Sequence, residues 1–317
     1  MPDPSPTISV VIAVRDGERT IQDAVRSALI QSSPATEVIV VDDMSRDATK
    51  QRVLELQSER VLVVDGEGRG VAAARNAGVR RASCTWIAFL DGDDYWRADL
   101  LELARRRIMV VPSAVACFCA ATPIDDRARV VGRHDMQELV TLEQLVSGQI
   151  VPTASATLVR RDIFIECGGF FEGFRRAAGV EDLDLWWRVA AKGLCLGVVK
   201  ACATYVVHDE RDRRRSVTAL SDLERDREQV LERLADGGAS PALVRRGRAI
   251  MRARTARYWL RAERPARARA AARSSLRALP TLEGCVTLVL ASVPRVLRQA
   301  IVSLRRRHRA SGVLERS

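Results

Sequence analysis

Two hydrophobic patterns alternate along residues 8–90 of the chain. Continuous apolar runs rich in β-branched residues, at 8–14, 37–41, 61–65 and 85–90, predict strands that are buried on both faces. Between them, residues 20–31, 47–58 and 71–82 carry apolar positions at helical spacing. Strands that alternate with helices across short connections predict an α/β fold with a mostly parallel sheet and helices on both faces.

The pattern becomes mixed after Pro112. Residues 114–121 and 155–159 predict strands, residues 194–199 and 203–207 predict shorter ones, and residues 183–191 predict a helix. From about residue 220 onward, helical periodicity is interrupted by a Gly-Gly pair and several prolines, which predicts a string of short helices. We therefore predict two domains, an α/β domain at 1–215 and a helical region at 216–317.

The net charge of +11 is unevenly distributed along the chain. Residues 211–317 hold 26 basic and 10 acidic residues, whereas residues 1–210 hold 25 basic and 30 acidic ones. The helical region is therefore strongly basic. A basic block attracts nucleic acid, anionic lipid or an acidic partner, and charge alone does not choose among these.

The cysteine pattern and the hydropathy of the chain indicate the cellular compartment of the protein. The seven cysteines show neither a CxxC pair nor zinc-ligand spacing, which predicts free thiols in a reducing cytosol. The N-terminus lacks a charged-then-apolar leader. The longest uncharged apolar stretch, 284–294, is shorter than the ~20 residues that span a bilayer. These features predict a cytoplasmic protein.

Charged side chains directly follow three of the predicted strands. Arg15 and Asp16 follow the first strand, Asp42 and Asp43 end the second, and the segment Asp91-Gly92-Asp93-Asp94 ends the fourth. In parallel sheets, ligands bind at the carboxyl ends of the strands. Mg²⁺ and Mn²⁺ bind through one or two carboxylates plus phosphate oxygens, so the DGDD segment is a candidate metal site. Its structural alternative is a solvated acidic turn.

A second acidic cluster opens the helix predicted near residue 183. Glu181 and Asp182 follow Gly179 in the segment GVEDLDLWWR. Acids in a first helical turn stabilise the helix through its macrodipole. The functional alternative is a carboxylate base that polarises an acceptor hydroxyl.

Six motifs together resemble the inverting family 2 glycosyltransferases with the GT-A fold. ISVVIAVRD resembles their opening strand, VVDDMSRDAT resembles their VDDGSxDxT segment, and residues 70–78 resemble their GxxxARNxG helix. FLDGDD resembles the metal-binding DxD motif, CGGF the GGF turn, and GVEDLDLWWRVAAKG the acceptor-side ED motif. Each motif is weak alone, but all six occur in the family's order over about residues 7–210.

The resemblance implies an enzyme that moves a sugar from a nucleotide-diphosphate sugar to an acceptor hydroxyl, with inversion and with Mn²⁺ or Mg²⁺ as cofactor. A UDP-sugar is the favoured donor, and a saccharide or lipid-linked saccharide is the expected acceptor. The implied donor-binding residues are Ala13, Arg15, Asp16, Asp42, Asp43, Arg75, Asp91 and Gly92. The implied metal ligands are Asp93 and His208. The implied catalytic residues are Asp182, as general base, and Glu181. The implied residues on the acceptor side are Gly169, Trp186 and Trp187.

The chain departs from the family pattern on the donor side. Ala13, Arg15 and Asp16 stand where the family has Pro, Tyr and Asn, so the base stacking that a tyrosine provides is lost. Met44 replaces the turn glycine. His208 follows the strand TYVV, where relatives show Tyr-x-x-His near the diphosphate; a structural histidine is its alternative.

Other functions explain fewer of these residues. The GEGRG segment at 66–70 resembles a dinucleotide fingerprint, but Val71 stands at the place of its last glycine. A non-catalytic GT-A-like scaffold or a basic protein that binds nucleic acid or another anionic partner is the alternative to an enzyme. Because the tail interleaves only Tyr258 and Trp259 as aromatic residues, nucleic acid is not predicted as a partner. His134 and His308 lie in no motif and are expected to be structural.

The end of the basic region mixes apolar residues with arginines over residues 282–304. Such a segment either lies on an anionic membrane surface or packs as an ordinary amphipathic helix. The first alternative predicts a protein that is peripheral on the inner face of the cell membrane.

Overall fold

The computed structural model describes residues 5–175, 180–207 and 217–293, which form two compact units. The first unit contains the described residues up to 207 together with residues 225–240. The second contains residues 217–224 and 241–293. The helix that begins near the predicted domain boundary at residue 215 contributes to both units, and that boundary stays a prediction.

The first part of the first unit alternates strands and helices. Four strands, β1 (Ile8–Val14), β2 (Glu37–Asp42), β3 (Val61–Asp65) and β4 (Trp86–Asp91), pair in parallel in the order β3-β2-β1-β4. The helices between them are α1 (Ile21–Leu29), α2 (Thr49–Leu54) and α3 (Val71–Arg81). Every residue of β1 is buried, as its continuous apolar run predicts.

The second part of this unit completes a mixed sheet. Its elements are β5 (Tyr95–Trp96), α4 (Leu100–Val110), β6 (Ala116–Asp125), β7 (Leu139–Val140), α5 (Leu142–Ser147), a 3₁₀ turn (Ala154–Ala156), β8 (Thr157–Arg160), α6 (Arg161–Glu166), α7 (Val180–Ala190) and β9 (Cys195–Val207). The strand order is β3-β2-β1-β4-β8-β6-β9-β5, and β7 also pairs with β9. β8 runs antiparallel to both β4 and β6, whereas β6 and β9 are parallel.

Two strand predictions in this region are wrong in detail. The sequence pattern predicts separate strands at 194–199 and 203–207, but β9 continues through the polar Lys200. The register of β6 against β9 shifts between Cys119 and Ala121, so the two strands remain paired on both sides of Lys200. The strand predicted from Ser155 begins at Thr157, because a 3₁₀ turn precedes it.

The second unit is helical. It receives the first residues of α8 (Val217–Asp236) and contains α9 (Pro241–Arg261), α10 (Pro265–Ala278) and α11 (Leu282–Ser292), which pack against one another. Prolines begin α9 and α10, where a missing N–H breaks no helical hydrogen bond. With 20 and 21 residues, α8 and α9 are longer than the predicted short helices. Over the described ranges, no helix is long and apolar enough to cross a membrane.

Candidate functional site

The polar strand ends predicted from the sequence meet at one edge of the sheet. In the strand register, Ala13 of β1 lies opposite Asp91 of β4, and Val14 lies opposite Asp42 of β2. The segments that follow these three strands are therefore neighbours. This edge is the carboxyl end of the parallel strands, where α/β proteins bind their ligands.

A buried arginine joins three acids at this edge. The guanidinium of Arg75, on α3, lies 2.6 Å from Asp91 Oδ1, 2.8 Å from Asp182 Oδ1 and 3.6 Å from Glu181 Oε1. The Arg75 side chain is only 4% exposed, and its guanidinium carbon lies 5.1 Å from the ring centroid of Phe170. One cation thus connects the DGDD turn to the first turn of α7.

Burial and repulsion raise the pKa of both acids of α7. Burial, followed by the charge of Asp182, raises the pKa of Glu181 to about 7, although Arg75 opposes the change. Burial also raises the pKa of Asp182, and Asp91 adds to this effect against Arg75. Glu181 Oε2 is buried without a hydrogen-bond partner in the part of the chain that the structure describes. Glu181 can therefore gain or lose a proton near neutral pH.

The last acid of the DGDD segment supports the turn from within. The carboxyl group of Asp94 is buried and accepts hydrogen bonds from the Ser155 hydroxyl and the Val206 amide. Ser155 Oγ in turn accepts a hydrogen bond of 3.0 Å from the Asp91 amide. Burial raises the pKa of Asp94 well above its usual value, and the charges of Asp91 and Asp93 contribute. Asp94 therefore links this turn to Ser155 and to β9.

Asp91 and Asp93 are the other two acids of this turn, and Asp91 is already paired with Arg75. Gly92 between them packs closely on β1, where an added Cβ would lie 2.7 Å from a methyl carbon of Val14. Among the described residues, no group of three or more His, Cys, Asp or Glu side chains is arranged to hold a metal. The predicted ligand His208 lies outside the described residues.

Asp42 and Asp43 organise the loops at the end of β2. The carboxylate of Asp43 accepts hydrogen bonds of 2.7 and 2.8 Å from the amides of Gly68 and Gly70. Both glycines have positive φ angles, 69° and 94°, which favour glycine. Asp42 Oδ1 accepts a hydrogen bond of 3.0 Å from the Ser45 amide. The predicted contact of these acids with a nucleotide stays a prediction.

Arg15 and Asp16 extend beyond β1 into solvent. The Asp16 amide donates to Ser45 Oγ at 2.9 Å, and Asp16 Oδ1 accepts from the Arg46 amide at 2.8 Å. The Arg15 side chain is 45% exposed and lies 3.9 Å from the Asp16 carboxylate. It is therefore accessible at the position of the missing tyrosine. Ala13 is buried in β1.

The GGF turn is fastened to both α3 and α7. Asn76 Oδ1 accepts a hydrogen bond of 2.9 Å from the Phe170 amide, and Asn76 Nδ2 donates one of 2.8 Å to the Phe170 carbonyl. Gly169 has a φ of 68°, and an added Cβ would lie 2.7 Å from Asn76 Oδ1. Arg188 of α7 donates to the Gly169 carbonyl at 2.9 Å. Gly169 thus holds α7, and with it the two acids, beside α3.

Asp184, a third acid of the same segment, is held by two arginines. Its side chain is 1% exposed and forms ion pairs with Arg188 and, at 2.8 Å, with Arg233. Both of its carboxylate oxygens are occupied by arginines, so it is poorly suited to accept a proton from a substrate.

A cavity of about 200 Å³ lies beside Asp182. Trp186 and Trp187 line it, and Trp186 also packs in a buried aromatic cluster. The polar lining includes His134 and Tyr205, which form a hydrogen bond of 2.8 Å. The sequence assigns His134 no role because it lies in no motif. Tyr205, the first residue of the Tyr-x-x-His segment, meets it only in the fold.

A family model and several known proteins are similar to this chain in sequence. The family model for "Glycosyl transferase family 2" matches residues 9–178, more than half of the chain. The chain is 31% identical over 140 residues to the Escherichia coli protein UDP-Glc:alpha-D-GlcNAc-diphosphoundecaprenol beta-1,3-glucosyltransferase WfgD, covering 44% of this chain and 54% of WfgD. It is 43% identical over 101 residues to the succinoglycan biosynthesis protein ExoO of Rhizobium meliloti, covering 32% of this chain and 29% of ExoO. These matches span about half of the relatives' length or less.

A solved structure supports the fold. Residues 1–349 of S. aureus TarS, in complex with UDP, superpose with a TM-score of 0.66 at 20% identity, covering 86% of this chain and 81% of that chain. This likeness confirms the predicted GT-A fold. Because the family model covers more than half of its length, the chain belongs to glycosyl transferase family 2.

Proposed function

We propose that this glycosyltransferase moves a sugar from a UDP-sugar to a hydroxyl of a lipid-linked saccharide or another glycan. The acceptor oxygen attacks the anomeric carbon, the bond from that carbon to the diphosphate oxygen breaks, and UDP leaves. Direct displacement of this kind inverts the anomeric configuration. Mn²⁺ or Mg²⁺ is the proposed cofactor.

The observation that carries the proposal is the bridge made by Arg75. Its guanidinium contacts Asp91 of the DGDD turn and Asp182 of α7 at 2.6 and 2.8 Å. A donor-side carboxylate and a candidate base are therefore held within the span of one side chain. An inverting displacement needs this proximity, because the base, the acceptor hydroxyl and the anomeric carbon must be adjacent.

Asp91 and Asp93 suit a cation that is shared with a diphosphate. Mg²⁺ in phosphate-transfer sites is held by one or two carboxylates, and substrate phosphates and water complete its coordination. Asp93, with Asp91 beside it, would hold the metal here. When bound, the metal would stabilise the negative charge that develops on the leaving diphosphate. The UDP and UDP-GlcNAc bound by the TarS structures favour UDP as the nucleotide.

Asp182 is the proposed general base. One of its oxygens, Oδ1, accepts from Arg75, and Oδ2 lies 3.3 Å from the Ala154 amide. Asp182 also lines the cavity beside α7, from which an acceptor hydroxyl can deliver its proton. Glu181 lies 3.6 Å from the same guanidinium nitrogen that contacts Asp182, so its charge acts on the same pair.

The acceptor is proposed from the names of the relatives. WfgD is named as acting on GlcNAc-diphosphoundecaprenol, and the Bacillus subtilis protein TuaG is named as a putative teichuronic acid biosynthesis glycosyltransferase. A lipid-linked acceptor would make proximity to the cytoplasmic face of the membrane useful for the enzyme.

The Asp182→Asn variant tests this assignment. UDP release from UDP-glucose and UDP-N-acetylglucosamine is measured with detergent-extracted lipid-linked saccharides as acceptors. We expect acceptor-dependent release by the wild type and a loss of about 10²-fold or more in the variant, the scale of a missing general base, with UDP affinity unchanged. Asp162→Asn, at an exposed ion pair with Arg160, is the matched control. Release by Asp182→Asn at the wild-type rate would place the base elsewhere.

A further inference from the structure

His134 and Tyr205 form an ordered pair in the wall of the cavity beside Asp182. The Tyr205 hydroxyl lies 2.8 Å from His134 Nε2, and His134 Nδ1 lies 3.1 Å from the Val151 carbonyl oxygen. The two rings also meet edge to face, with centroids 5.1 Å apart. The two residues are 71 positions apart along the chain, so they meet only in the folded protein.

The direction of both hydrogen bonds follows from the carbonyl. Because a carbonyl oxygen only accepts, His134 Nδ1 must carry the proton that points to Val151. Burial lowers the pKa of His134, so the ring is neutral near pH 7 and its Nε2 is an acceptor. The Tyr205 hydroxyl must then donate to Nε2. Burial raises the pKa of Tyr205 to about 12, so the phenol keeps this proton.

The phenol oxygen is consequently left with acceptor capacity alone. Its single proton is committed to His134, and its lone pairs can take a hydrogen bond only from a donor in the cavity. The lining of the same cavity includes the apolar side chains of Leu145, Ile150 and Val151. A pyranose offers both complementary features, namely hydroxyl donors and apolar C–H faces.

We propose that Tyr205, oriented by His134, is a specificity-determining residue that accepts a hydrogen bond from one hydroxyl of the acceptor sugar. This inference rests on the proposed function, because Asp182 in the same cavity is taken to receive the proton of a different hydroxyl, the one that attacks. A sugar that lacks the hydroxyl read by Tyr205 would leave the phenol oxygen unpaired in a largely apolar cavity.

The first arm of the test needs no ligand. The full chain contains three histidines, so protein labelled with ¹⁵N-histidine gives three sets of ring signals, and His134→Gln assigns the set of His134. We expect His134 to be protonated on Nδ1 and unprotonated on Nε2 near neutral pH. A ring protonated on Nε2 would make Tyr205 the acceptor in this pair and would overturn the inference.

The second arm uses benzyl β-D-glucopyranoside and its monodeoxy derivatives, titrated calorimetrically into the full chain with UDP and Mn²⁺. Tyr205→Phe should weaken binding of the parent glycoside about tenfold. One deoxy derivative should bind the wild type equally weakly and lose nothing further in Tyr205→Phe, as expected for coupled groups. Tyr95→Phe, at an exposed tyrosine of β5, is the matched control and should bind as the wild type does.

The outcomes separate this inference from the proposed function. Wild-type protein that fails to bind UDP contradicts the proposed function, whereas the histidine signals and the glycoside titrations still decide the role of Tyr205. Normal UDP binding with equal glycoside affinity in Tyr205→Phe and wild type would overturn the inference alone. Normal UDP binding without any glycoside binding by the wild type would overturn it as well.

Discussion

At the scale of single residues, Arg75 supplies the positive charge that the acids of the proposed active site share. Its buried guanidinium contacts Asp91, Glu181 and Asp182. When one of these three carboxyl groups is protonated, the other two still carry two negative charges against the single positive charge of Arg75. Removing one partner from a buried ion cluster typically costs ~3–5 kcal/mol, because the remaining charge loses its compensation. Of the two acids of α7, Glu181 has its pKa raised to about 7, so it gains or loses a proton near neutral pH.

Glu181→Gln should reduce the pH dependence of stability. The pKa of Glu181 is raised from 4.5 to about 7, so its protonation favours the folded state. Its contribution to the free energy of unfolding is fully present below pH 4.5 and is lost as the pH rises through about 7. Urea denaturation across this range should show a flatter profile for the variant than for the wild type. A profile parallel to that of the wild type would assign the effect to another group; Glu143→Gln, at an exposed position, is the control.

The sequence identifies the acids of the site but not all of their contacts. The family resemblance assigns Asp91 to the donor and Asp93 to the metal, whereas the hydrogen bonds that Asp94 accepts from Ser155 and Val206 appear only in the fold. The contact between Tyr205 and His134 is missed for the same reason. A motif records neighbours along the chain, whereas these contacts join residues far apart in sequence.

At the scale of elements, the site depends on how α3 and α7 are held together. The Asn76 side chain closes two hydrogen bonds with the backbone of Phe170, and Arg188 fixes the same turn from α7. These contacts give the ARN and GGF motifs a shared structural purpose. They keep Arg75 opposite the acids of α7.

Asn76→Ala should destabilise the protein by roughly 1–3 kcal/mol, because the amide and carbonyl of Phe170 lose their partner. Urea denaturation monitored by tryptophan fluorescence measures the change. The exposed amide variant Gln51→Ala should leave the midpoint close to that of the wild type. A midpoint for Asn76→Ala equal to that of Gln51→Ala would show that the turn is held by other contacts.

The parallel strands were predictable because a strand buried on both faces leaves a continuous apolar run. β1 is such a strand, and its predicted and observed bounds coincide. β9 was not predicted as one strand, because Lys200 interrupts the apolar pattern and the register shifts of β6 are invisible in sequence. Proline and glycine positions predict where the helices of the second unit are interrupted. They do not predict how long these helices are, because helix length depends on tertiary packing.

At the scale of the whole molecule, the basic excess and the proposed active site lie in different parts of the chain. Residues 1–210 carry a slight acidic excess, whereas residues 211–317 carry 26 basic and 10 acidic residues. In α11, the described start of the stripe predicted at 282–304, Leu282 and Val289 are exposed. This distribution favours an anionic membrane surface as the partner of the basic region, which remains a proposal.

The basic region should bring the protein to anionic vesicles. Each arginine near an anionic surface contributes about 1 kcal/mol, an attraction that salt screens. We expect the full chain to float with phosphatidylglycerol vesicles at low salt and to be released at high salt. Replacing Arg305, Arg306 and Arg307 with glutamine should weaken flotation without changing UDP affinity. Failure of the wild type to float at low salt would leave packing or a protein partner as the role of this region.

The most direct test of metal-assisted donor binding is a calorimetric titration of UDP with and without Mn²⁺. The wild type should bind UDP in a Mn²⁺-dependent manner, and Asp93→Ala should lose this binding while keeping its circular dichroism spectrum, because the diphosphate charge is no longer compensated. Asp23→Ala, at an exposed position of α1, should bind as the wild type does. Equal Mn²⁺-dependent affinity in Asp93→Ala and the wild type, or no UDP binding by the wild type, would contradict the account.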